Sequence, residues 1–124
     1  MGKIYLDHNA TTPLHPEVLE AMLPALRENY GNPSSLHSFG RTSRVQLDEA
    51  RDKIASLIGA HSSEIVFTSG GTEANNLALL GAAFTRKGKI ITSKIEHPSI
   101  TNPCRQLEKQ GIEVYYLNVD QKGR

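Results

Sequence analysis

Glu64-Ile-Val-Phe-Thr-Ser-Gly-Gly-Thr-Glu-Ala-Asn-Asn76 is the stretch whose reading decides the fold. A β-prone run enters a Gly-Gly-Thr turn, and an Ala- and Leu-rich stretch of helical character leaves it. The pattern predicts a strand over residues 64–68 and a helix over 72–84. Beyond it, residues 89–93 read as a strand, 99–110 as a helix with Pro103 near its start, and 112–117 as a strand. Strands alternating with helices across short links argue for parallel βαβ units. Right-handed crossovers would lay the helices against the sheet. Three parallel strands do not complete a doubly wound sheet, and Val119-Asp-Gln-Lys-Gly-Arg124 is turn-like where another element should begin. The expectation is an α/β fold with an incomplete sheet, the chain stopping within a domain.

Upstream, Lys3-Ile-Tyr-Leu6 is a short β-prone run. Val18, Leu19, Met22, Leu23 and Leu26 have helical spacing over residues 17–29. Pro16 suits the first turn of that helix, whereas Pro24 inside it predicts a kink or a break. Residues 38–58 form a second helix with an apolar stripe through Leu47, Ala50, Ile54, Leu57 and Ile58, and Gly59 is its natural stop. No internal repeat or low-complexity tract interrupts the chain.

The 124 residues match one domain. Lys and Arg number 14 against 13 Asp and Glu, a net charge of +1 that makes no case for a nucleic acid or a membrane surface as partner. No apolar run approaches the ~20 residues of a membrane helix, and the N-terminus lacks the apolar centre of a secretory signal. A single cysteine, Cys104, excludes an internal disulfide and a Cys-rich zinc site. A cytoplasmic protein is expected.

Three segments could carry chemistry. In the first, a strand runs through Ser69-Gly-Gly-Thr72 directly into a helix. Free N–H groups and the positive end of the helix dipole make such a junction an anion site. Gly70 and Gly71 let the backbone approach a phosphate closely, and Thr72 adds a hydroxyl donor. The plainer alternative is a Gly-rich turn with Thr72 as an ordinary helix cap. Glu73 would repel a phosphate unless it points elsewhere. The second segment is Glu96-His-Pro-Ser99, just after a strand, where parallel sheets collect ligands. His97 is either part of such a site or a surface residue. The third is Gly31-Asn-Pro-Ser-Ser-Leu-His-Ser-Phe-Gly-Arg41, a polar connection whose spacing names no chemistry. The five histidines show no i, i+4 pairing for a metal, and no metal is expected.

Four motifs together carry a resemblance: Tyr5-Leu-Asp-His-Asn-Ala-Thr-Thr-Pro13, Gly31-Asn-Pro-Ser-Ser-Leu-His37, Phe67-Thr-Ser-Gly-Gly-Thr-Glu-Ala-Asn-Asn76 and Glu96-His-Pro-Ser99. In order and spacing they resemble the cysteine desulfurases of the nitrogen-fixation and housekeeping branch, which are pyridoxal 5'-phosphate enzymes. The resemblance implies the N-terminal part of the fold-type I, class-V aminotransferase-like fold. Residues 1–14 would belong to its small domain and 15–124 to the first part of its large domain. Gly71 and Thr72 match the positions that hold the cofactor phosphate. His97 matches the histidine that stacks on the cofactor ring and assists proton transfers. Ala10 and Thr11 match a segment passing near the substrate, and the loop with Asn32 and His37 matches one that approaches the neighbouring subunit.

The implied reaction converts L-cysteine to L-alanine and an enzyme persulfide. Its implied partners are a second subunit in a homodimer and an iron–sulfur scaffold or sulfur-acceptor protein. The Schiff-base lysine, the aspartate facing the ring nitrogen, the nucleophilic cysteine and the substrate-carboxylate arginine lie later in family members, and no residue here matches them. Cys104 is in the wrong region and on a helix. By itself the chain is therefore expected to be inactive. Alternatives are a related fold-type I aminotransferase or lyase, or a non-catalytic fragment that needs a partner chain.

Overall fold

The computed structural model describes residues 3–86 and 88–124. Met1 and Gly2, at the start of the expected small-domain segment, lie outside the described residues. The chain divides into two compact units, Met1–Ile65 and Val66–Arg124.

The first unit is helical. α1 spans Pro16–Glu28, with Pro16 in its first turn, Glu17 near the positive end of the dipole and Arg27 near the negative end. It is not broken at Pro24. A proline removes one N–H from the ladder, and here the flanking turns carry the helix through. α2 spans Ser38–Ile58, the range expected from its pattern. His37 caps its start by accepting the Gly40 N–H at Nδ1, 3.3 Å. Gly59 ends it in the left-handed conformation, φ 69°, while the Ala60 N–H reaches the Ala55 carbonyl at 2.9 Å. The connection before α2 packs on its first turns. A Cβ on Gly40 would run into the Ser35 carbonyl oxygen and lie 2.7 Å from that of Asn32. Gly40, Ser43 and Ala55 are the buried residues of α2.

The second unit holds the sheet. β1 (Ile90–Ser93) pairs in parallel with β2 (Val114–Leu117), in the register Ile90 with Val114 through Ser93 with Leu117. α4 (Pro98–Lys109) is the crossover between them, and α3 (Gly71–Thr85) packs against α4. α4 runs unbroken through Pro103. It buries Ser99, Pro103, Cys104 and Leu107, the last two completely. At the start of the pair, Lys89 and Glu113 form an exposed ion pair at 2.7 Å.

One expected strand, residues 64–68, and the β-prone run 3–6 are absent from the ladder. Residues 3–6 and 64–68 pair with no strand among the described residues. A strand is stabilised by what lies beside it and against its face, and Val66 is 64% exposed while Leu6 is 89% exposed. The α/β class with an incomplete sheet stands, and among the described residues the sheet has two strands. Among the described residues, no helix is long and apolar enough to cross a membrane.

Candidate functional site

The second unit brings two helix starts together. Gly71 is the first residue of α3, and no side chain caps that start. The first backbone bond into the helix runs from the Ala74 N–H to the Gly70 carbonyl, 3.1 Å. The N–H groups of Gly71, Thr72 and Glu73 are thus the ones an α-helix start leaves for an outside acceptor. A Cβ on Gly70 or on Gly71 would meet nothing within 4 Å. Neither glycine is there to relieve a clash within the chain, and the space before them is open.

Glu73 folds back onto the loop that leads into α3. Its carboxylate turns back to accept the Ser69 hydroxyl at 2.6 Å and the Ser69 N–H at 2.7 Å. These two donors, the hydroxyl first, hold its pKa below the ordinary 4.5. Thr72 caps nothing through its hydroxyl; its carbonyl accepts the Asn76 side-chain amide at 2.8 Å.

His97 is the N-cap of α4. Its Nδ1 accepts the Ser99 N–H at 3.1 Å and lies 2.8 Å from the Ser99 hydroxyl. Ser99 is buried, and its Oγ also accepts from the Asn75 side-chain amide of α3 at 2.8 Å. Thr72 and His97 line one open cleft of about 310 Å³, together with Asn76, Ser99, Asn102 and Gln106. The structure therefore brings Thr72 and His97 to one cleft, with Gly71 adjacent to Thr72 along α3. No lysine lines it among the described residues.

Cys104 does not line this cleft. It is fully buried on α4, and burial, aided by Glu108, pushes its thiol pKa up, which disfavours the nucleophilic thiolate. Among the described residues, no group of three or more His, Cys, Asp or Glu could hold a metal ion. Ala10 and Thr11, with Asn32 and His37, lie in the first unit. There Thr11 Oγ1 is 2.6 Å from the Tyr5 hydroxyl, and Asn32 Oδ1 accepts the Ser34 N–H at 2.9 Å.

Residue types pointed to neither Asn102 nor Gln106, and Asn75, Asn76 and Ser99 lay inside quoted motifs with no role of their own. Asn102 and Gln106 are one helical turn apart and follow Ser99 on the same stripe, so an i, i+3, i+7 polar pattern on α4 was readable. Asn75 carried no local signal, because its partner Ser99 is 24 residues away.

The aminotransferase class-V family model matches residues 4–124. The chain belongs to the aminotransferase class-V family. Within this family, a cysteine desulfurase IscS of Dictyoglomus turgidum is 59% identical over 124 residues, covering 98% of this chain and 32% of that protein. A solved structure described as a NifS-like protein is 40% identical with a TM-score of 0.86, covering 94% of this chain and 33% of the other. Another, described as SspA in complex with cysteine, is 45% identical with a TM-score of 0.82, covering 91% and 33%. This class-V chain spans about a third of the length of the curated relatives it matches.

Proposed function

We propose that this chain is the N-terminal portion of a cysteine desulfurase, the part that receives the phosphate of pyridoxal 5'-phosphate and faces its ring. The observation that carries the reading is the single cleft lined by Thr72 and His97, at the starts of α3 and α4. Similarity to proteins named cysteine desulfurase supports the choice within the class-V family, as does a relative solved with cysteine. The substrate is L-cysteine and the products are L-alanine and an enzyme persulfide for iron–sulfur cluster assembly.

The residues fit the group. Three N–H groups at a capless helix start and the Thr72 hydroxyl are donors suited to a phosphate. The open space beside Gly71 admits its oxygens. The bound cofactor supplies an electron sink for bond breaking at the substrate's α-carbon. Gly71 and Thr72 would orient the phosphate, the Glu73 carboxylate is engaged by the two Ser69 donors, and His97 would present its ring and hold a proton beside the cofactor.

Further parts of the reading concern the whole enzyme. Residues 1–14 belong to its small domain and 15–124 to the start of its large domain. The enzyme is a cytoplasmic homodimer that passes sulfur to a scaffold or acceptor protein. The lysine that binds the cofactor comes from outside this chain.

The test grafts this chain in place of the matching third of the Dictyoglomus turgidum enzyme. The expected result is pyridoxal 5'-phosphate binding and alanine formation from cysteine by the graft, and none by the 124 residues alone. Thr72→Val removes one donor to a charged group, worth roughly 1.5–3 kcal/mol, so cofactor affinity should fall about ten- to hundredfold. A folded graft that binds no cofactor, or unchanged affinity in Thr72→Val, overturns the reading.

A further inference from the structure

We propose that Asn75 and Ser99 are positioning residues that set which nitrogen of His97 carries the proton. The inference rests on the cofactor-site reading for its purpose, but not for its geometry. The Asn75 amide has only hydrogens to give at Nδ2, so at 2.8 Å it donates to Ser99 Oγ. With that lone pair taken, the serine hydrogen is free to turn to His97 Nδ1, 2.8 Å away. The Ser99 N–H, 3.1 Å from the same nitrogen, is a second donor. Two donors aimed at Nδ1 require it to be unprotonated in the neutral ring. The ring hydrogen then sits on Nε2, and His97 lines the cleft it shares with Thr72. A neutral His97 so held offers a proton from Nε2 and cannot accept one there.

The chain contains its own control. His61 makes the same local pattern with Ser63, its Nδ1 2.8 Å from the hydroxyl and 3.4 Å from the N–H. Among the described residues, however, no asparagine amide donates to the Ser63 hydroxyl. Capping alone thus explains His61. The donor from α3 is what distinguishes His97, and it reaches across 24 residues of sequence to a buried hydroxyl.

The experiment is ring-nitrogen NMR on the full chain carrying isotope-labelled histidine, in solution or in the solid, at a pH where the rings are neutral. The His97 signals are assigned by their loss in His97→Gln. The expected result is a large excess of the Nε2–H form at His97. Asn75→Asp is nearly isosteric and replaces the donor by an acceptor, which should draw the serine hydrogen away and raise the Nδ1–H share several-fold. Ser99→Ala should raise it as well, and Ser99→Thr, which keeps the hydroxyl, should restore the original ratio. His61 should not respond to any of these changes. An Nδ1–H ring in the unaltered chain, or a ratio indifferent to both Asn75→Asp and Ser99→Ala, overturns the proposal. Titration of the grafted enzyme with pyridoxal 5'-phosphate is read separately: failure to bind it would sink the cofactor site and leave the proton placement intact.

Discussion

α1 and α4 are nearly the same length, 13 and 12 residues, and both begin with a proline and carry another inside. Both also show an apolar stripe at helical spacing. Yet α1 buries no residue, while α4 buries Ser99, Pro103, Cys104 and Leu107. The difference lies in what surrounds them. α4 is the crossover of a parallel strand pair and packs against α3. An amphipathic pattern specifies which face a helix could bury; only a neighbouring element removes that face from water, and the gain scales with the area removed.

Truncation of buried and exposed leucines tests this contrast most strongly. Leu107→Ala should destabilise by about 2–5 kcal/mol, because a cavity is added to the lost burial. Leu26→Ala in α1, at a side chain 67% exposed, should change stability by no more than ~0.5 kcal/mol. Urea denaturation measures both. Equal losses would mean that α1 is covered in solution, and the contrast would fail.

Two glycines sharpen it next. Gly40→Ala forces a methyl against the Asn32 and Ser35 carbonyls and should cost roughly 1–3 kcal/mol. Gly71→Ala meets nothing within 4 Å and replaces a poor helix former, so stability should hold or rise by up to ~1 kcal/mol. In the grafted enzyme, the same change should weaken cofactor binding. A Gly71→Ala variant as unstable as Gly40→Ala would show that the α3 start is packed rather than open.

Smaller effects come from titration. The Tyr116 hydroxyl is pushed up to about 12, chiefly by burial and then by Glu108, whose carboxylate accepts it at 2.9 Å. The native state therefore keeps its proton where the unfolded chain, near 10, loses it. The stability this contributes is complete below pH 10 and disappears between 10 and about 12. Absorbance titration should find that Glu108→Gln lowers the value without returning it to 10, since burial remains. Glu73 has the opposite sign. Its lowered pKa stabilises the native loop above the ordinary 4.5, and that contribution is lost as pH falls through the lower native value. The Ser69 amide signal should follow this titration below pH 4.5 and become insensitive to it in Glu73→Gln.

Much of this molecule was legible along the chain. The span of α2 and its Gly59 stop follow from local spacing and from the one residue that enters the left-handed region without strain. The positions of α3, α4, β1 and β2 were readable to within two residues at each end. His97 was legible as a residue just after a strand, and the Gly-Gly-Thr turn as the start of a helix, although the strand expected before that turn does not form.

The rest depended on distance through space. Residues 3–6 and 64–68 have strand composition, but composition cannot supply the neighbour that a ladder requires. Pro24 warned of a kink or break that the surrounding helical turns override, and Pro103, which clouded the start of α4, lies inside it. The direction of Glu73, the shared cleft of Thr72 and His97, and the reach of Asn75 to Ser99 each join side chains brought together only by folding. By itself the sequence determined which residues form helices and which carry polar chemistry, because propensity, capping and periodicity act within a few residues. Only the tertiary structure decided which of those groups meet, because hydrogen-bond geometry and burial depend on elements that the chain visits at different times.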